Sequence, residues 1–305
     1  MIDFSRKPLF LAPMAGFSDL PFRAVVKKFG ADITISEMIS ANALVFESKK
    51  TLQMLEKDES ESPFIVQLAG SDEGVIKKAV QMLNSFDFID GIDFNCGCPM
   101  PKVVRQNAGA ALLENLELLK RLVSAIKTHS TKKSVSVKFR LGFKDKKPAL
   151  IAKACEEAGA DFIAIHARTA KQLYSGRADY EALALAKNAV KIPVVANGDI
   201  DAHNASEVLQ STKADALMIG RASIGKPWLF YELKTGKSVD NALKKEIILY
   251  HYEAMLRHYG KRGVPLFRKH LHEYSKGYLG ASNFRDEINR IIDANTMRAR
   301  VESFF

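Results

Sequence analysis

Eight short apolar runs, each followed by a segment compatible with a helix, recur between residues 10 and 219 of this 305-residue chain. Strand-like runs that alternate with amphipathic segments are typical of βα units around a parallel sheet. The runs cover residues 10–14, 33–37, 64–68, 91–95, 135–139, 162–166, 194–197 and 216–219. An open doubly wound sheet would usually carry a Gly-x-Gly-x-x-Gly turn after its first strand, and the sequence has none. The pattern therefore predicts a (β/α)8 TIM barrel, a fold that needs about 250 residues.

The strand pattern stops after Lys237, and the remaining residues have helical spacing. Apolar side chains recur every three or four residues, which indicates helices that bury one face. They are Leu243, Ile247, Tyr250 and Ala254 in one stretch and Phe284, Ile288 and Ile291 in another. We therefore predict a catalytic barrel over residues 1–237, followed by a small C-terminal helical domain over residues 238–305.

The balance of charges favours a polyanionic partner, because the formal net charge is +10 and clustered cations gain free energy by releasing counterions from phosphates. From Asp240 onward, 12 Lys and Arg stand against 8 Asp and Glu, so the predicted helical domain is modestly basic. Three cysteines are too few for a disulfide framework and indicate a reducing compartment. No run approaches the roughly 18 apolar residues of a membrane span. We expect a cytoplasmic monomer without a membrane partner.

Polar side chains interrupt several apolar strands near their carboxyl ends, where barrel enzymes place their catalytic groups. In 134–140, Val137 and Phe139 face one way, so Lys138 is predicted to point into the barrel. The same alternation brings His166 and Arg168 to the carboxyl end of the sixth run. Further polar residues in equivalent places are Gln67, Asp93, Asn95 and Asn197. These positions predict one polar site at the carboxyl end of the barrel.

Two glycine-containing turns predict a phosphate site. Asn197-Gly198-Asp199 follows the seventh run and Gly220-Arg221 follows the eighth. Barrels commonly bind phosphate after these two strands, on backbone amides and a helix N-terminus. Arg221 would add a charge-assisted contact.

Cys98 lies in Asn95-Cys96-Gly97-Cys98-Pro99, directly after the fourth run. A thiol in this place is a usable acid around neutral pH, because it is mostly protonated and yet gives up its proton readily. A Cys-x-Cys metal pair is the alternative reading, but no nearby His or Cys completes a four-ligand set. We therefore predict no metal.

Taken together, these motifs resemble those of the tRNA-dihydrouridine synthase family, and most closely its bacterial B-type branch. The resemblance spans the barrel and the helical tail. It rests on Ala12-Pro13-Met14-Ala15-Gly16 with Asp19, Val66-Gln67-Leu68-Ala69-Gly70, Asn95-Cys96-Gly97-Cys98-Pro99, Val137-Lys138-Phe139-Arg140, His166-Ala167-Arg168-Thr169, Ala196-Asn197-Gly198-Asp199-Ile200 and Ile219-Gly220-Arg221. Pro101, Ala167 and Ala170 depart from the usual B-type pattern and leave open both the branch and the uridine that is modified.

The resemblance implies a flavin site and a proton donor. FMN would be held by Pro13, Met14, Ala15, Gln67, Lys138, His166, Asn197, Gly198, Asp199, Gly220 and Arg221. Asn95 would lie beside the reacting uracil, and Arg168 would face either the flavin phosphate or the RNA. NADPH or NADH would be the reductant. Reduced FMN would deliver hydride to uracil C6 and Cys98 a proton to C5, which gives 5,6-dihydrouridine in tRNA.

A uridine in folded tRNA must be swung out before it can reach such a site, at a cost of a few kcal/mol. The basic tail is predicted to offset this cost by contacting phosphates. Its candidates are Lys261, Arg262, Arg268, Lys269, Lys276, Arg285, Arg290, Arg298 and Arg300. Two alternatives remain: an FMN-barrel oxidoreductase of a free pyrimidine or a dihydroorotate-like small molecule, and an RNA-binding barrel that has lost catalysis.

Overall fold

The computed structural model describes residues 2–305 and contains a closed parallel barrel. Its strands are β1 (Leu9–Leu11), β2 (Ile33–Ile35), β3 (Ile39–Ser40), β4 (Phe64–Ala69), β5 (Gly91–Cys96), β6 (Ser134–Arg140), β7 (Phe162–His166), β8 (Val194–Asn197) and β9 (Ala216–Ile219). β1 pairs with β2 on one side and with β9 on the other, and pairing of β2 with β4 completes the ring. The predicted (β/α)8 TIM barrel is confirmed.

The second barrel strand is interrupted, which the sequence did not predict. β2 and β3 both pair with β4, so together they occupy one barrel position. Between them, the Ser36 hydroxyl accepts the backbone N–H of Gln67 at 3.0 Å, and a carboxylate oxygen of Glu37 accepts the N–H of Gly16 at 2.5 Å. The Ser36 hydroxyl takes the place of a ladder carbonyl for Gln67 of β4, and the chain leaves strand geometry between β2 and β3.

The first strand ends earlier than the predicted residue 14. Ala12 still donates its N–H to Ile219 at 2.8 Å, but the next residue, Pro13, has no N–H to continue the ladder. The chain therefore turns into a loop that returns to the first helix.

Helices surround the barrel between successive strands. They are α1 (Leu20–Lys28), α2 (Ala41–Val45), α3 (Lys49–Gln53), α4 (Glu73–Asn84), α5 (Pro101–Val104), α6 (Leu116–His129), α7 (Pro148–Glu157), α8 (Tyr180–Ala189), α9 (Ala205–Thr212) and α10 (Leu229–Thr235). Asp19, Asp72 and Asp179 begin α1, α4 and α8 by accepting a first-turn N–H on the side chain. The helices pack against strand side chains that face out of the barrel, and these, such as Val137 and Phe139, are fully buried.

Aromatic side chains close the amino end of the barrel. Phe4, in a short 3-10 helix at the start of the chain, packs at 5.4 Å from the ring of Phe162, which begins β7. Phe10 lies 5.7 Å from the same ring. Because this end is filled, the carboxyl end of the strands is left for a site.

The tail forms four helices: α11 (Asn241–Tyr259), α12 (Gly263–Tyr274), α13 (Ala281–Ile288) and α14 (Ala294–Phe304). The predicted helical C-terminal region is therefore confirmed. Its apolar core also includes Val25 of α1 and Trp228, so the tail packs against the barrel. The boundary at residue 237 stays a prediction. Among residues 2–305, no helix combines the length and the apolar character needed to cross a membrane.

Candidate active site

The register of the barrel brings the predicted polar residues together at its carboxyl end. Asn95 of β5 lies opposite Lys138 of β6, and His166 of β7 lies opposite Asn197 of β8. Arg140 of β6 also pairs with His166. Neighbouring parallel strands thus deliver these side chains to the same mouth, as their positions in the sequence predict.

Lys138 is a half-buried cation inside the barrel. Its ammonium donates a hydrogen bond to Asn197 Oδ1 at 3.1 Å, while Asn197 Nδ2 donates to the Met218 carbonyl at 2.8 Å and so fixes the amide. Burial, with a smaller contribution from the neighbouring Arg140, lowers the pKa of Lys138 to about 8. A desolvated ammonium of this kind gains from any negative charge that is placed beside it.

A buried hydrogen-bond chain orients Gln67. Asp93 accepts from Gln67 Nε2 at 2.7 Å and from the Ser136 hydroxyl at 2.6 Å. Gln67 Oε1 in turn accepts from Asn95 Nδ2 at 2.8 Å. The amide of Gln67 therefore has one orientation, with one Nε2 hydrogen left for a ligand.

Asn95 shapes the cysteine loop. Its Oδ1 accepts the backbone N–H of Gly97 at 3.1 Å and that of Cys98 at 2.9 Å. The Cys98 carbonyl also accepts from Ala110 at 3.0 Å. Gly109, at φ +59°, permits this approach, because a Cβ there would lie 2.7 Å from the Cys98 oxygen.

The three cysteines have different surroundings. Cys98 is partly exposed at the mouth of the barrel, whereas Cys96 and Cys155 are fully buried between strands and helices. Burial raises the pKa of both the Cys96 and the Cys155 thiol. Only Cys98 is thus accessible to a substrate. Within residues 2–305 no three His, Cys, Asp or Glu side chains group as metal ligands.

Arg140 braces two loops, a role that sequence reasoning missed. Its Nε donates to the Gly97 carbonyl at 3.0 Å, and its Nη1 donates to the carbonyls of Thr169 and Leu173 at 3.0 and 2.8 Å. The side chain is buried. Alternation along β6 places Arg140 on the same face as Lys138, which was the available signal, but the loop carbonyls that it contacts have no pattern in the sequence.

Asp199 joins two arginines after β8. Its carboxylate forms ion pairs with the buried Arg168 and with Arg221, the latter at 2.8 Å. The hydrogen bond from Arg168 is the main cause that lowers the pKa of Asp199. Arg221 is half-exposed and lies 4.1 Å from the ring centroid of Tyr174, an exposed aromatic residue that the sequence analysis did not single out.

Polar atoms without protein partners lie beside this pair. In the chain from residue 2 to 305, neither His166 Nδ1 nor Arg168 Nη1 has a hydrogen-bond partner, although both atoms are buried. Burial lowers the pKa of His166 to about 2, so the ring is neutral. Gly198 has φ +116°, and a Cβ there would meet the His166 ring at 3.3 Å. A polar ligand would satisfy these two atoms.

The loop after β1 completes the site. Ala12 donates its N–H to the carbonyl of Ile219, the last residue of β9, so Pro13, Met14 and Ala15, which follow it, lie at the carboxyl end of the barrel. Met14 donates its N–H to the Ser18 hydroxyl at 2.8 Å. Gly220 is close to this loop, since a Cβ there would lie 3.8 Å from the Met14 sulfur. The structure thus gathers all the predicted site residues at one mouth.

The charges of the site suit an anionic ligand. Four cations, Lys138, Arg140, Arg168 and Arg221, face two carboxylates, Asp93 and Asp199. Burial raises the pKa of Asp93, which weakens its compensating charge. An anion at this mouth would therefore be bound favourably, and the partner-free Arg168 Nη1 could donate to it.

A closed barrel with a cationic polar mouth and an accessible thiol defines a TIM-barrel enzyme. The sequence model for "Dihydrouridine synthase (Dus)" matches residues 10–305. A Helicobacter pylori (strain J99) protein named "Probable tRNA-dihydrouridine synthase" is 47% identical over 308 residues, which cover 100% of this chain and 94% of the relative. "tRNA-dihydrouridine synthase B" of Pseudomonas aeruginosa is 38% identical over 308 residues, which cover 97% of this chain and 92% of the relative.

The chain belongs to the dihydrouridine synthase family. This confirms the resemblance inferred from the motifs. Among solved structures, an old yellow enzyme homologue from Zymomonas mobilis has a TM-score of 0.55 at 14% identity, covering 77% of this chain and 90% of that one. That likeness shows the barrel fold.

Proposed function

We propose that this protein is an FMN-dependent tRNA-dihydrouridine synthase that reduces specific uridines with NADPH or NADH. Family membership and the names of the relatives support the reaction class. The observation that carries the proposal is the placement of Cys98: a partly exposed thiol on a loop held by Asn95, beside a cationic mouth. When bound, FMN supplies the hydride that saturates the C5–C6 bond of uracil.

The residues proposed to hold FMN fit such a group. Lys138 and the free Nε2 hydrogen of Gln67 would donate to the polar edge of the ring system, and the Lys138 charge would stabilise negative charge there. The phosphate would be bound near Gly198 and Gly220. His166 and Arg221 would donate to it there.

The remaining members of the set have supporting roles in this proposal. Asn197 orients Lys138, and Asp199 holds Arg221 in place. Pro13, Met14 and Ala15 would form the wall after β1. Arg168 is buried, so its partner-free Nη1 favours the phosphate over an exposed RNA contact.

Cys98 is the proposed proton donor to uracil C5. General acids of this kind contribute about 10²- to 10⁴-fold to rates. Asn95 uses its Oδ1 to fix the thiol-bearing loop and one Nδ2 hydrogen to bind Gln67. Its second Nδ2 hydrogen remains for the uracil. Positioning of the thiol and binding of the substrate would thus share one side chain.

The tail is the proposed tRNA-binding region. Several of the nine candidate cations are engaged within the protein: Lys276 pairs with Glu273, Arg298 with Glu253 and Glu302, and Arg300 with Glu287. Arg268 donates to the Ile291 carbonyl, and Lys269 to the Gly16 carbonyl. The described chain offers no carboxylate within 4.0 Å of the other four, which are Lys261, Arg262, Arg285 and Arg290. We assign phosphate contacts to these four, hereafter the free tail cations.

Direct detection of the product tests the proposal. Full-length protein loaded with FMN is incubated with NADPH and a tRNA transcript that lacks dihydrouridine, and the RNA is digested and analysed by mass spectrometry. We expect uridines that have gained two hydrogen atoms, and none when NADPH and NADH are omitted. If FMN binds but the tRNA stays unmodified with either reductant, the proposed reaction is wrong.

A further inference from the structure

The helical tail contacts the loop that carries part of the proposed flavin site. This loop, residues 12–19 between β1 and α1, is hereafter the β1–α1 loop. The ammonium of Lys269, on α12, donates to the Gly16 carbonyl and lies 3.9 Å from Asp19 Oδ2. The hydroxyl of Tyr259, the last residue of α11, donates to the same Asp19 oxygen at 3.2 Å.

Asp19 links two elements through its two oxygens. Oδ1 accepts the N–H of Phe22 at 3.3 Å and begins α1, while Oδ2 faces the tail. The carboxylate is buried, and burial raises its pKa, with Lys269 as the largest opposing influence. A buried carboxylate needs such partners, so the tail stabilises the charge on which the start of α1 depends.

Further contacts join the same segments. The Lys269 ammonium lies 5.6 Å from the ring centroid of Phe17, and the His270 ring meets that ring edge to face at 5.6 Å. On the opposite side, Glu37 of the barrel accepts the N–H of Gly16 at 2.5 Å. Gly16 is therefore held by the barrel at its N–H and by the tail at its carbonyl.

These contacts lie within a few residues of the proposed flavin wall. Met14 donates its N–H to the Ser18 hydroxyl, and the Ser18 carbonyl accepts from the buried Arg23 at 3.1 Å. The loop is thus one hydrogen-bonded turn, in which Gly16 follows directly on Ala15 and Asp19 comes three residues later. A shift at Gly16 would move the wall.

We propose that Lys269 and Tyr259 are positioning residues through which the tail holds the β1–α1 loop in the shape that binds FMN. The inference rests on the proposed function for the identity of the ligand. It gives Lys269 a role other than phosphate contact, and it makes the flavin site depend on a docked tail.

The test is the FMN dissociation constant of full-length variants, followed by the fluorescence of free flavin. Lys269→Met removes a charge-assisted hydrogen bond, and we expect about tenfold weaker FMN binding. Tyr259→Phe, which removes one neutral donor, should have a smaller effect, and Lys269→Arg should restore most of the loss. Lys245→Met is the matched control, because Lys245 also donates to a backbone carbonyl, that of Glu302, but within the tail; it should bind FMN as the wild type does.

A second readout separates positioning from other roles. At saturating FMN, Lys269→Met should bind tRNA as tightly as the wild type. An unchanged FMN dissociation constant in Lys269→Met overturns the inference. Weaker tRNA binding would then show that Lys269 contacts phosphate, and a lower urea midpoint would show that it only stabilises the fold. If Lys269→Met does not fold, Tyr259→Phe decides by the same criterion. A wild-type protein that binds no FMN would overturn the proposed function as well.

Discussion

Backbone hydrogen bonds hold the loop that keeps the Cys98 thiol partly exposed at the mouth of the barrel. Replacement by Ala removes the thiol and leaves the loop bonds to Asn95 and Ala110 in place. We therefore expect FMN binding to stay at the wild-type level while single-turnover reduction of tRNA falls by about 10²-fold or more. Rapid-mixing absorbance measures the rate, and flavin fluorescence measures binding. Wild-type turnover by the Ala variant would remove Cys98 from the mechanism.

The buried charge of Lys138 predicts a pH-dependent stability. Its folded pKa of about 8 lies below the ordinary 10.5, so the unfolded chain binds more protons between these values and the protein gains stability as pH rises through that window. Below pH 8 the cost of burying the charge is fully present. The Lys138→Met variant has no ammonium at this position, so its stability lacks this dependence on pH.

Urea unfolding of FMN-free protein at pH 7 and pH 10 measures the effect. The stability of the wild type relative to Lys138→Met should rise by about 1 to 2 kcal/mol between the two pH values, less than the full shift implies because the side chain is partly exposed. An unchanged difference would show that the Lys138 ammonium is not desolvated.

At the level of single residues, strand alternation was enough to predict Lys138, His166 and Asn197 at the mouth, because a period of two fixes which face a side chain joins. It could not predict that Asp93 orients Gln67, since that bond joins two strands whose register is unknown beforehand. The ion pairs of Asp199 with Arg168 and Arg221 could not be predicted for the same reason, because these arginines lie 31 and 22 residues away in the sequence.

The cysteine loop and the β7–α8 loop are held together by one side chain. Arg140→Lys keeps the charge but cannot span the three carbonyl groups that the guanidinium contacts. We expect faster amide hydrogen exchange in residues 97–100 and 169–174 and about tenfold slower tRNA reduction, since a misplaced acid loses rate steeply. Arg121→Lys, at an exposed position on α6, is the control. Exchange as slow as in the wild type would show that the loops hold themselves.

At the level of elements, the eight βα units were predictable from apolar runs, and six of the predicted strands lie within one residue of the observed bounds at each end. The first two were wrong at their carboxyl ends. Pro13 stops the ladder after β1, and after β2 the Ser36 hydroxyl, in place of a ladder carbonyl, accepts the N–H of Gln67. An apolar run indicates that its residues are buried, but it does not show where the strand ends, because the residues that follow β1 and β2 continue the run in a loop.

On the scale of the whole molecule, the free tail cations are the candidate cations of the tail that have no carboxylate partner. Arg262→Ala with Arg290→Ala removes two of the free tail cations, whereas Arg298→Ala removes a cation already paired with two glutamates. The double variant should bind tRNA about tenfold more weakly, and its dependence on salt should flatten by roughly 0.7 to 0.9 in the log–log slope per lost contact. Filter binding over a range of salt concentrations measures both.

Arg298→Ala should stay close to the wild type in that experiment. A loss in Arg298→Ala half as large, on the log scale, as the loss in the double variant would show that the tail acts through its overall charge and not through the free tail cations, because Arg298→Ala removes one charge and the double variant removes two.

The positive net charge of the tail was predictable from the sequence, but which of its cations lack a carboxylate partner was not. Composition gives 12 cations and 8 anions after residue 239, yet which cations are free depends on ion pairs between separate helices, such as Arg298 of α14 with Glu253 of α11. The packing of the tail on α1 through Val25 also had no signal, because Val25 fits equally well into the barrel layer.

The most direct measurement is anaerobic. Protein with bound flavin is reduced with NADPH, freed of excess reductant and mixed either with tRNA lacking dihydrouridine or with free uridine, and the oxidised flavin absorbance is followed. We expect rapid return of absorbance with tRNA and little with free uridine. Equal reoxidation by free uridine, or none by tRNA, would contradict the proposed function.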